Sequence, residues 1–266
     1  MIPIGERING MFRDVKQAIA EKEKKVIQEL ALRQTEAGAK YLDVNVGTAA
    51  RDQLGTMKWL VETIQEVCDT PLALDSQKLD VIKAGLEVAK QPVLINSCRA
   101  DAETLDTYFG ICKEHNSSLI CLTMTKEGVS QDVPKRLEDA MRVIEKATEH
   151  EIPMERVFID PIILPINVDQ RQPKMICEVI SQVKLMTDPP PHITCGLSNI
   201  SQGTRNRHLI NRTMLVMMVA AGMDSAICDV LDKDLMDAWI TTELLMNRII
   251  YSHDYIKAAL TSLRAR

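Results

Sequence analysis

Residues 71–97, PLALDSQKLDVIKAGLEVAKQPVLINS, contain one complete strand–helix–strand unit. The apolar runs Pro71–Asp75 and Pro92–Asn96 predict two buried strands, and Leu79–Ala89 between them has the spacing of an amphipathic helix. Two consecutive strands joined by a helix pair in parallel through a right-handed crossover. The segment therefore predicts an α/β fold built on a parallel sheet.

The same unit is repeated along the whole chain, with eight strand-like runs, each followed by a segment with helical periodicity. The predicted strands are Ile2–Gly5, Lys40–Val46, Pro71–Asp75, Pro92–Asn96, Ser118–Met124, Arg156–Asp160, His192–Leu197 and Asp224–Asp229. The predicted helices are Asp14–Ala37, Asp52–Cys68, Leu79–Ala89, Ala102–His115, Pro134–Glu149, Gln172–Met186, His208–Ala221 and Asp234–Ser252. Eight such units in 266 residues predict a single-domain (β/α)8 barrel of the TIM type over residues 1–266, with an open doubly wound sheet as the alternative.

Two details concern the ends of helices. Gly38 precedes the second strand and Gly222 precedes the eighth, and both suit the left-handed conformation that commonly ends a helix. After His253 we expect a final helix, packed under the barrel or against a partner.

Composition and charge exclude several classes of function. The formal net charge is −5, and basic residues alternate with acidic ones on the predicted helices, which argues against a nucleic-acid-binding surface. No signal peptide is expected at Met1, and the longest apolar stretch, Met214–Met223, is shorter than the roughly 20 residues that a membrane span needs. We therefore expect a cytoplasmic protein with neither nucleic acid nor membrane as a partner.

The spacing of cysteine and histidine predicts no metal site. The seven cysteines form no Cys-x-x-Cys pair, and the five histidines contain no His-Glu-x-x-His motif. Reduced, mostly buried thiols are expected instead. Gly-x-Gly-x-x-Gly and Walker motifs are missing as well, and the 14 methionines are interpreted as core packing.

Polar residues end or follow several predicted strands. They are Asp75, Asn96, Asp160, Asn199 and the pair Asp43 and Asn45. The carboxyl ends of the strands form the active-site face of a β/α barrel, so these side chains should converge on one pocket.

Each of these residues also has an ordinary structural interpretation. Asp75 or Ser76 could cap the following helix, because Asp and Ser are favoured there. Asp160 could brace the turn at Pro161, and Asn96 with the following serine could form a turn. Only the whole set favours a binding site.

The chemistry of these side chains limits the kinds of ligand that they could bind. Carboxylates and carboxamides, with no lysine, histidine or metal-ligand cluster in the same motifs, suit a flat ring that carries amide and amino groups. A carboxylate can accept two parallel hydrogen bonds from the N–H and the adjacent NH2 of a pterin-like edge. Paired carboxylates could instead belong to a glycosidase, but an aromatic content of 3% offers few stacking platforms.

Several motifs resemble those of the pterin-binding methyltransferase family, over nearly the whole chain. They are Ile4-Gly-Glu-Arg-Ile-Asn-Gly10, Leu42-Asp-Val-Asn-Val-Gly47, Leu74-Asp75-Ser76, Ile95-Asn96-Ser97, Ile159-Asp-Pro161 and Gly196-Leu-Ser-Asn-Ile-Ser201. With Asn206-Arg207 and Ile210-Asn-Arg-Thr213, the last motif is most similar to the methyltetrahydrofolate:corrinoid/iron–sulfur protein methyltransferases of the reductive acetyl-CoA pathway. The folate module of cobalamin-dependent methionine synthase and dihydropteroate synthase are more distant in resemblance.

The resemblance implies an activity. A protein of this branch transfers the N5-methyl group of methyltetrahydrofolate to Co(I) of a corrinoid/iron–sulfur protein, so this chain would hold no cofactor itself. The alternatives are a methylcorrinoid:tetrahydrofolate methyltransferase running in the catabolic direction, in O-demethylation or methylamine use, and a non-catalytic pterin-binding module. A homodimer is implied too, and the apolar face of Leu235, Trp239, Leu244 and Leu245 could form it or could pack on the barrel.

The resemblance also implies the site residues. Asp75, Asn96 and Asp160 would hydrogen-bond the pterin, and Asn199 would approach N5 and act in catalysis. Asn199 could instead cap the turn into the following helix. The remaining members of the implied set are Gln202 and Arg207, which would extend the hydrogen-bond network, Ser198, which would support it, and Glu6 and Asn9, which would line the pocket floor or only scaffold a loop.

Overall fold

The computed structural model describes residues 1–48, 50–251 and 255–257. In this part of the chain, eight parallel strands alternate with nine α-helices. The strands are β1 (Ile2–Asn9), β2 (Tyr41–Asn45), β3 (Leu72–Asp75), β4 (Leu94–Arg99), β5 (Ser118–Leu122), β6 (Val157–Asp160), β7 (His192–Ile193) and β8 (Ser225–Cys228). The helices are α1 (Arg13–Glu21), α2 (Lys24–Glu36), α3 (Gln53–Gln65), α4 (Leu79–Val88), α5 (Ala102–His115), α6 (Val133–Glu149), α7 (Gln172–Val183), α8 (Arg207–Ala221) and α9 (Lys233–Leu245).

The predicted (β/α)8 barrel is confirmed. The strands are neighbours in the order β7-β6-β5-β4-β3-β2-β1-β8, so the first strand pairs with both the second and the eighth. The seam between β7 and β8 is closed by a single parallel bridge between Gly196 and Ile227, where the Ile227 N–H donates to the Cys195 carbonyl at 2.8 Å.

The seventh strand is shorter than the predicted range His192–Leu197. The chain leaves the sheet after Ile193, and Leu197–Ser201 form a 3-10 helix. The Ile193 N–H, which a continued ladder would use, donates instead to the carboxylate of Asp224 at 2.9 Å. A side chain therefore replaces the backbone acceptor at this seam.

The first predicted helix, Asp14–Ala37, is wrong as one element, because it is divided into α1 and α2. Lys22 adopts the left-handed conformation with φ of 55° and ends α1. Residues 20–25 are all exposed, and this turn contacts α3 and its end through charged side chains: Lys22 Nζ lies 4.7 Å from the centre of the Trp59 ring, and Lys24 pairs with Glu66. Two predicted strands were also too short, since β1 continues to Asn9 and β4 continues to Arg99.

Several other expectations can be compared with the structure. Gly38 and Gly222 follow α2 and α8 with φ of 97° and 125°, which confirms their predicted role. The last helix ends at Leu245, so its predicted continuation towards Ser252 is wrong: residues 246–249 form turns and bends, with Asn247 at a φ of 56°. Ser252 itself and the tail after His253, apart from residues 255–257, lie outside the described residues. Among the described residues, no helix combines the length and apolar character that crossing a membrane requires.

The apolar core has two layers. The larger layer lies between the sheet and the surrounding helices, and it includes several of the methionines, among them Met57 and Met218. The smaller layer fills the inside of the barrel at its amino-terminal end. Of the apolar face predicted on α9, Leu235 and Trp239 are 2% and 0% exposed and pack on the barrel. Leu244 is partly buried and Leu245 is 79% exposed, so only the end of this face is open to a second subunit.

Candidate functional site

The inside of the barrel changes from apolar to polar within two residues on four strands. The apolar residues are Ile4, Ala73, Leu94 and Phe158, and the polar residues two positions later are Glu6, Asp75, Asn96 and Asp160. Side chains alternate along a strand, so residues two positions apart lie on the same face. The apolar layer therefore forms the floor on which a polar site is built.

A cavity of about 610 Å³ opens above this floor at the carboxyl ends of the strands. Its volume is typical of a small-molecule site. All nine residues of the sequence-predicted set line it: Glu6, Asn9, Asp75, Asn96, Asp160, Ser198, Asn199, Gln202 and Arg207. The lining also includes carboxyl groups outside that set, namely Asp43, Asp229 and Asp232.

The wall formed by β2, β3 and β4 is a row of paired carboxyl and carboxamide groups. The Asn45 amide nitrogen donates to Asp75 Oδ2 at 2.6 Å, and the Asn96 amide nitrogen donates to Asp43 Oδ1 at 2.9 Å. Asp75 does not cap α4, because Lys78 stands at that position and its N–H donates to Ser76 Oγ at 3.1 Å. The capping interpretation is therefore wrong for Asp75.

Burial dominates the electrostatics of this wall. It raises the pKa of Asp43 well above the ordinary value, and the neighbouring Asp75 and Glu6 raise it further while the hydrogen bond from Asn96 lowers it. Burial also raises the pKa of Asp75, against the effect of the hydrogen bond from Asn45. This wall therefore favours a state in which fewer negative charges are present than carboxyl groups.

Asp160 joins the site to the turn that follows β6. Its Oδ1 accepts the Ile162 N–H at 2.7 Å, and its carboxyl also accepts the Gly196 N–H. Burial raises its pKa to about 6, against the effect of these hydrogen bonds and of Arg136. The expectation that Asp160 braces a turn is therefore correct, and the same carboxyl group also faces the cavity.

Glu6 lies on β1, the strand next to β2, and it contacts the 3-10 helix. The Ser198 hydroxyl donates to its two carboxyl oxygens at 2.8 and 3.0 Å. Burial raises the pKa of Glu6 to about 7, with a further increase from Asp229, while Ser198, Arg207 and Arg7 lower it. Arg207 is held by the same turn, because its guanidinium donates to Ser201 Oγ at 3.1 Å and to the Ser198 carbonyl at 3.3 Å.

Asn199 is exposed at the edge of the cavity, and its carboxamide has no hydrogen-bond partner within the described part of the chain. Helix α8 begins at Arg207 after Asn206, so the predicted alternative of Asn199 as a helix cap is wrong. A Cβ atom at position 196 would lie 2.9 Å from Asn199 Nδ2. Gly196 therefore allows the free carboxamide to lie close over the backbone.

Sequence reasoning left some lining residues out of the predicted set. Asp43 was among the strand-end residues, and Asp229 follows β8 at the end of a predicted strand, so the same signal identifies both. Asp232 caps α9 and pairs with His208 Nδ1 at 2.8 Å, which no spacing indicates. Within the described residues, no group of three or more His, Cys, Asp or Glu side chains is arranged to hold a metal ion.

A barrel with an acidic, amide-rich pocket at the carboxyl ends of its strands has the architecture and the chemistry of a pterin site. The family described as "Pterin binding enzyme" matches residues 10–229, and the chain belongs to this family. The membership expected from the sequence motifs is confirmed.

Particular relatives extend this result. A methylcorrinoid:tetrahydrofolate methyltransferase of Eubacterium limosum is 33% identical over 260 residues, which are 97% of this chain and 96% of that protein. A methionine synthase of Mycobacterium leprae is 31% identical over 242 residues, which are 85% of this chain and 20% of that protein. The expected enzyme class, a methyltransferase, is confirmed by the full-length match.

Solved structures share the fold at low identity. A dihydropteroate synthase of Coxiella burnetii in complex with pteroic acid has a TM-score of 0.69 at 13% identity, covering 93% of this chain and 94% of that one. A Yersinia pestis dihydropteroate synthase with a sulfonamide drug complex has a TM-score of 0.69 at 12% identity, with the same coverage. These likenesses show the barrel fold.

Proposed function

We propose that this methyltransferase moves a methyl group between N5 of tetrahydrofolate and the cobalt of a corrinoid bound to a separate protein. The observation that carries the proposal is the convergence of Asp75, Asn96, Asp160 and Asn199 on one cavity. The full-length relative named for methyl transfer between these two carriers supports it.

The pterin ring would bind to the buried acceptors. Asp75 uses Oδ2 for Asn45, and among the described residues nothing donates to its Oδ1. The N–H and amino group of a pterin edge are donors of matching spacing. A carboxylate that is desolvated without enough partners is costly, and the ligand's donors would offset that cost. The raised pKa of Asp75 and of Asp160 expresses the same lack of partners.

The chemical difficulty lies at N5, the leaving atom when the methyl group moves away from folate. An unprotonated amide-like anion is a poor leaving group, so protonation or a strengthening hydrogen bond must develop in the transition state. Asn199 can donate a hydrogen bond there but cannot supply a proton. Glu6 holds a proton in the neutral range and bonds to Ser198, the neighbour of Asn199, so it is our candidate for the proton store.

The corrinoid, when its carrier protein docks, supplies the cobalt centre that accepts or donates the methyl group. The residues of this chain orient the folate and stabilise charge at N5. Met11 and Phe12 are 68% and 37% exposed at the rim of the cavity, and they offer an apolar surface to the docking protein.

The direction that we propose is from methyltetrahydrofolate to Co(I) of a corrinoid/iron–sulfur protein, as in the reductive acetyl-CoA pathway. The reverse direction is the second candidate, and the name of the Eubacterium limosum relative favours it. Mixing the purified chain with each candidate corrinoid protein, and following the Co(I) absorbance with either folate as substrate, would distinguish them. If the chain binds folate but transfers no methyl group to or from any of these corrinoid proteins, it acts only as a pterin-binding module.

We also propose a homodimer, on a different surface from the one expected. The outward side of α8 carries Leu209, Val216 and Met217, which are 53%, 36% and 41% exposed. An apolar stripe along one helix is typical of a surface that a partner covers. The cytoplasm is the compartment that we propose, because all seven cysteines are free thiols.

The binding site itself is tested with Asp160→Ala. Removing one partner of a buried, charge-assisted hydrogen bond costs roughly 1.5–3 kcal/mol, which is about 10- to 150-fold in affinity. Isothermal titration with methyltetrahydrofolate would measure it, with circular dichroism to verify the fold. The matched control is Asp80→Ala, an exposed aspartate in the first turn of α4 that does not line the cavity. Equal affinity in folded Asp160→Ala and the parent would reject this pterin site.

A further inference from the structure

Asp43 is the most deeply buried carboxyl group of the cavity. It lies in the middle of β2, is 2% exposed, and accepts a hydrogen bond from Asn96 on β4. In the sheet, Ala73 on β3 is paired with Asp43 on one side and with Leu94 on the other. The small side chain of Ala73 leaves room for Asn96 to reach across β3 to Asp43.

The surroundings of Asp43 contain like charges. The charged groups that act on it are Asp75 on β3 and Glu6 on β1, both of them carboxyls, and within the described residues no cation contributes. A carboxylate that is buried away from water, with one hydrogen bond and two acidic neighbours, is very unfavourable. Asp75 is less buried and is bonded by Asn45, so it is the better site for the single charge of this wall.

We infer that Asp43 is a positioning residue that works uncharged: its protonated carboxyl holds the Asn96 carboxamide so that the amide oxygen faces the ligand. A carboxamide has one NH2 and one oxygen. The Asn96 nitrogen donates to Asp43 Oδ1, so the proton of the uncharged carboxyl belongs on Oδ2, and the Asn96 oxygen is left for the cavity. The wall then offers a ligand with N–H donors two acceptors, on Asp75 and Asn96, and one negative charge.

This inference rests on the proposed pterin binding, and it adds the requirement that Asp43 is uncharged when the ligand binds. An asparagine at position 43 keeps the acceptor for Asn96 and has no charge, so it reproduces a protonated aspartate. Asp43→Ala removes the acceptor and frees Asn96 to rotate. The charged and uncharged hypotheses therefore predict opposite results for Asp43→Asn.

The experiment is a titration of methyltetrahydrofolate into the parent, Asp43→Asn and Asp43→Ala across neutral and alkaline pH. We expect Asp43→Ala to bind at least about tenfold more weakly, and Asp43→Asn to restore affinity to within about threefold at neutral pH. A proton retained by a raised pKa is lost as pH rises through that pKa, so the parent's affinity should fall at alkaline pH. At pH values where Glu6, with its pKa of about 7, is already charged in both proteins, that alkaline loss should be absent in Asp43→Asn.

A spectroscopic readout separates a proton on Asp43 from a purely structural role. The infrared difference spectrum between the parent and Asp43→Asn should show the C=O band of one protonated carboxylic acid at neutral pH. The matched comparison is Asp75→Asn, which should bind poorly and should leave that band in place.

The outcomes are separable. If the parent does not bind methyltetrahydrofolate, the proposed function is wrong, whatever Asp43 does. If the parent binds and Asp43→Asn is as weak as Asp43→Ala, Asp43 acts as a carboxylate and the inference is overturned. If Asp43→Ala does not fold, the alkaline loss and the infrared difference spectrum still decide. An alkaline loss that is unchanged in Asp43→Asn, or a difference spectrum between parent and Asp43→Asn without a protonated carboxyl band, overturns the inference.

Discussion

Glu6 should make the folded protein less stable at high pH. Burial raises its pKa from 4.5 to about 7, so the folded chain binds this proton more tightly than the unfolded chain. The free energy of unfolding therefore decreases as pH rises from 4.5 to about 7 and stays low above that range. Below 4.5, both states are protonated at this position and the contribution disappears.

The size of the effect follows from the shift. A change from 4.5 to about 7 corresponds to about 3 kcal/mol, at about 1.4 kcal/mol for each pKa unit. Glu6→Gln removes the charge, and it keeps the shape and an oxygen that Ser198 can bond. We expect nearly equal stability of variant and parent at about pH 4, and a variant that is more stable by up to about 3 kcal/mol at about pH 8.

Urea unfolding of both proteins at the two pH values measures this difference. The control is Glu29→Gln on α2, where a side chain that is 61% exposed pairs with Lys25 at 3.8 Å. Such an exposed pair contributes little, so this control should match the parent within about 0.5 kcal/mol at both pH values. If Glu6→Gln and the parent are equally stable at about pH 8, Glu6 is not desolvated and the reasoning about the dry cavity fails.

Three further predictions concern catalysis and assembly. Asn199→Ala should transfer methyl about 100-fold more slowly in single turnovers at saturating folate, because one transition-state contact is lost. Folate affinity should change by a modest factor only, and an unchanged rate would refute the catalytic role. Transfer from folate to cobalt should also be faster at lower pH, since N5 takes up a proton, and a flat stopped-flow profile would contradict this. Met217→Glu should convert a dimer to a monomer of 29.8 kDa in light scattering, and a parent that is already monomeric would exclude the α8 interface.

The barrel could be predicted because the same strand–helix unit is repeated along the chain. Each apolar run with a following helix fixes a parallel crossover, and eight of them leave few other arrangements. Four of the nine site residues were predicted by the rule that polar strand ends share a face, namely Asp75, Asn96, Asp160 and Asn199, and the family resemblance implied the other five. The break between α1 and α2 could not be predicted, because helical periodicity continues through Lys22 and residues 20–25 contain no glycine, proline or favoured cap residue to mark the turn.

Asp43 shows the limit of reading the site from strand ends alone. Its partner, Asn96, is 53 residues away and on a strand that is not adjacent, so no local pattern connects them. The alternation along β2 did place Asp43 and Asn45 on the same face. The sequence could not tell which of the two is buried and lines the cavity, and which is bonded to Asp75.

The short seventh strand has an evolutionary consequence. Ser198 and Asn199 are consecutive residues and both line the cavity, whereas in a strand one of them would point outward to the helices. A barrel with a complete seam between β7 and β8 would therefore turn one of these two side chains away from the cavity. Mutations that complete the hydrogen bonding between β7 and β8 should accumulate under selection for stability alone. Selection for turnover should remove them. The sparse hydrogen bonding between β7 and β8 is therefore a feature of the enzyme that selection for turnover would preserve.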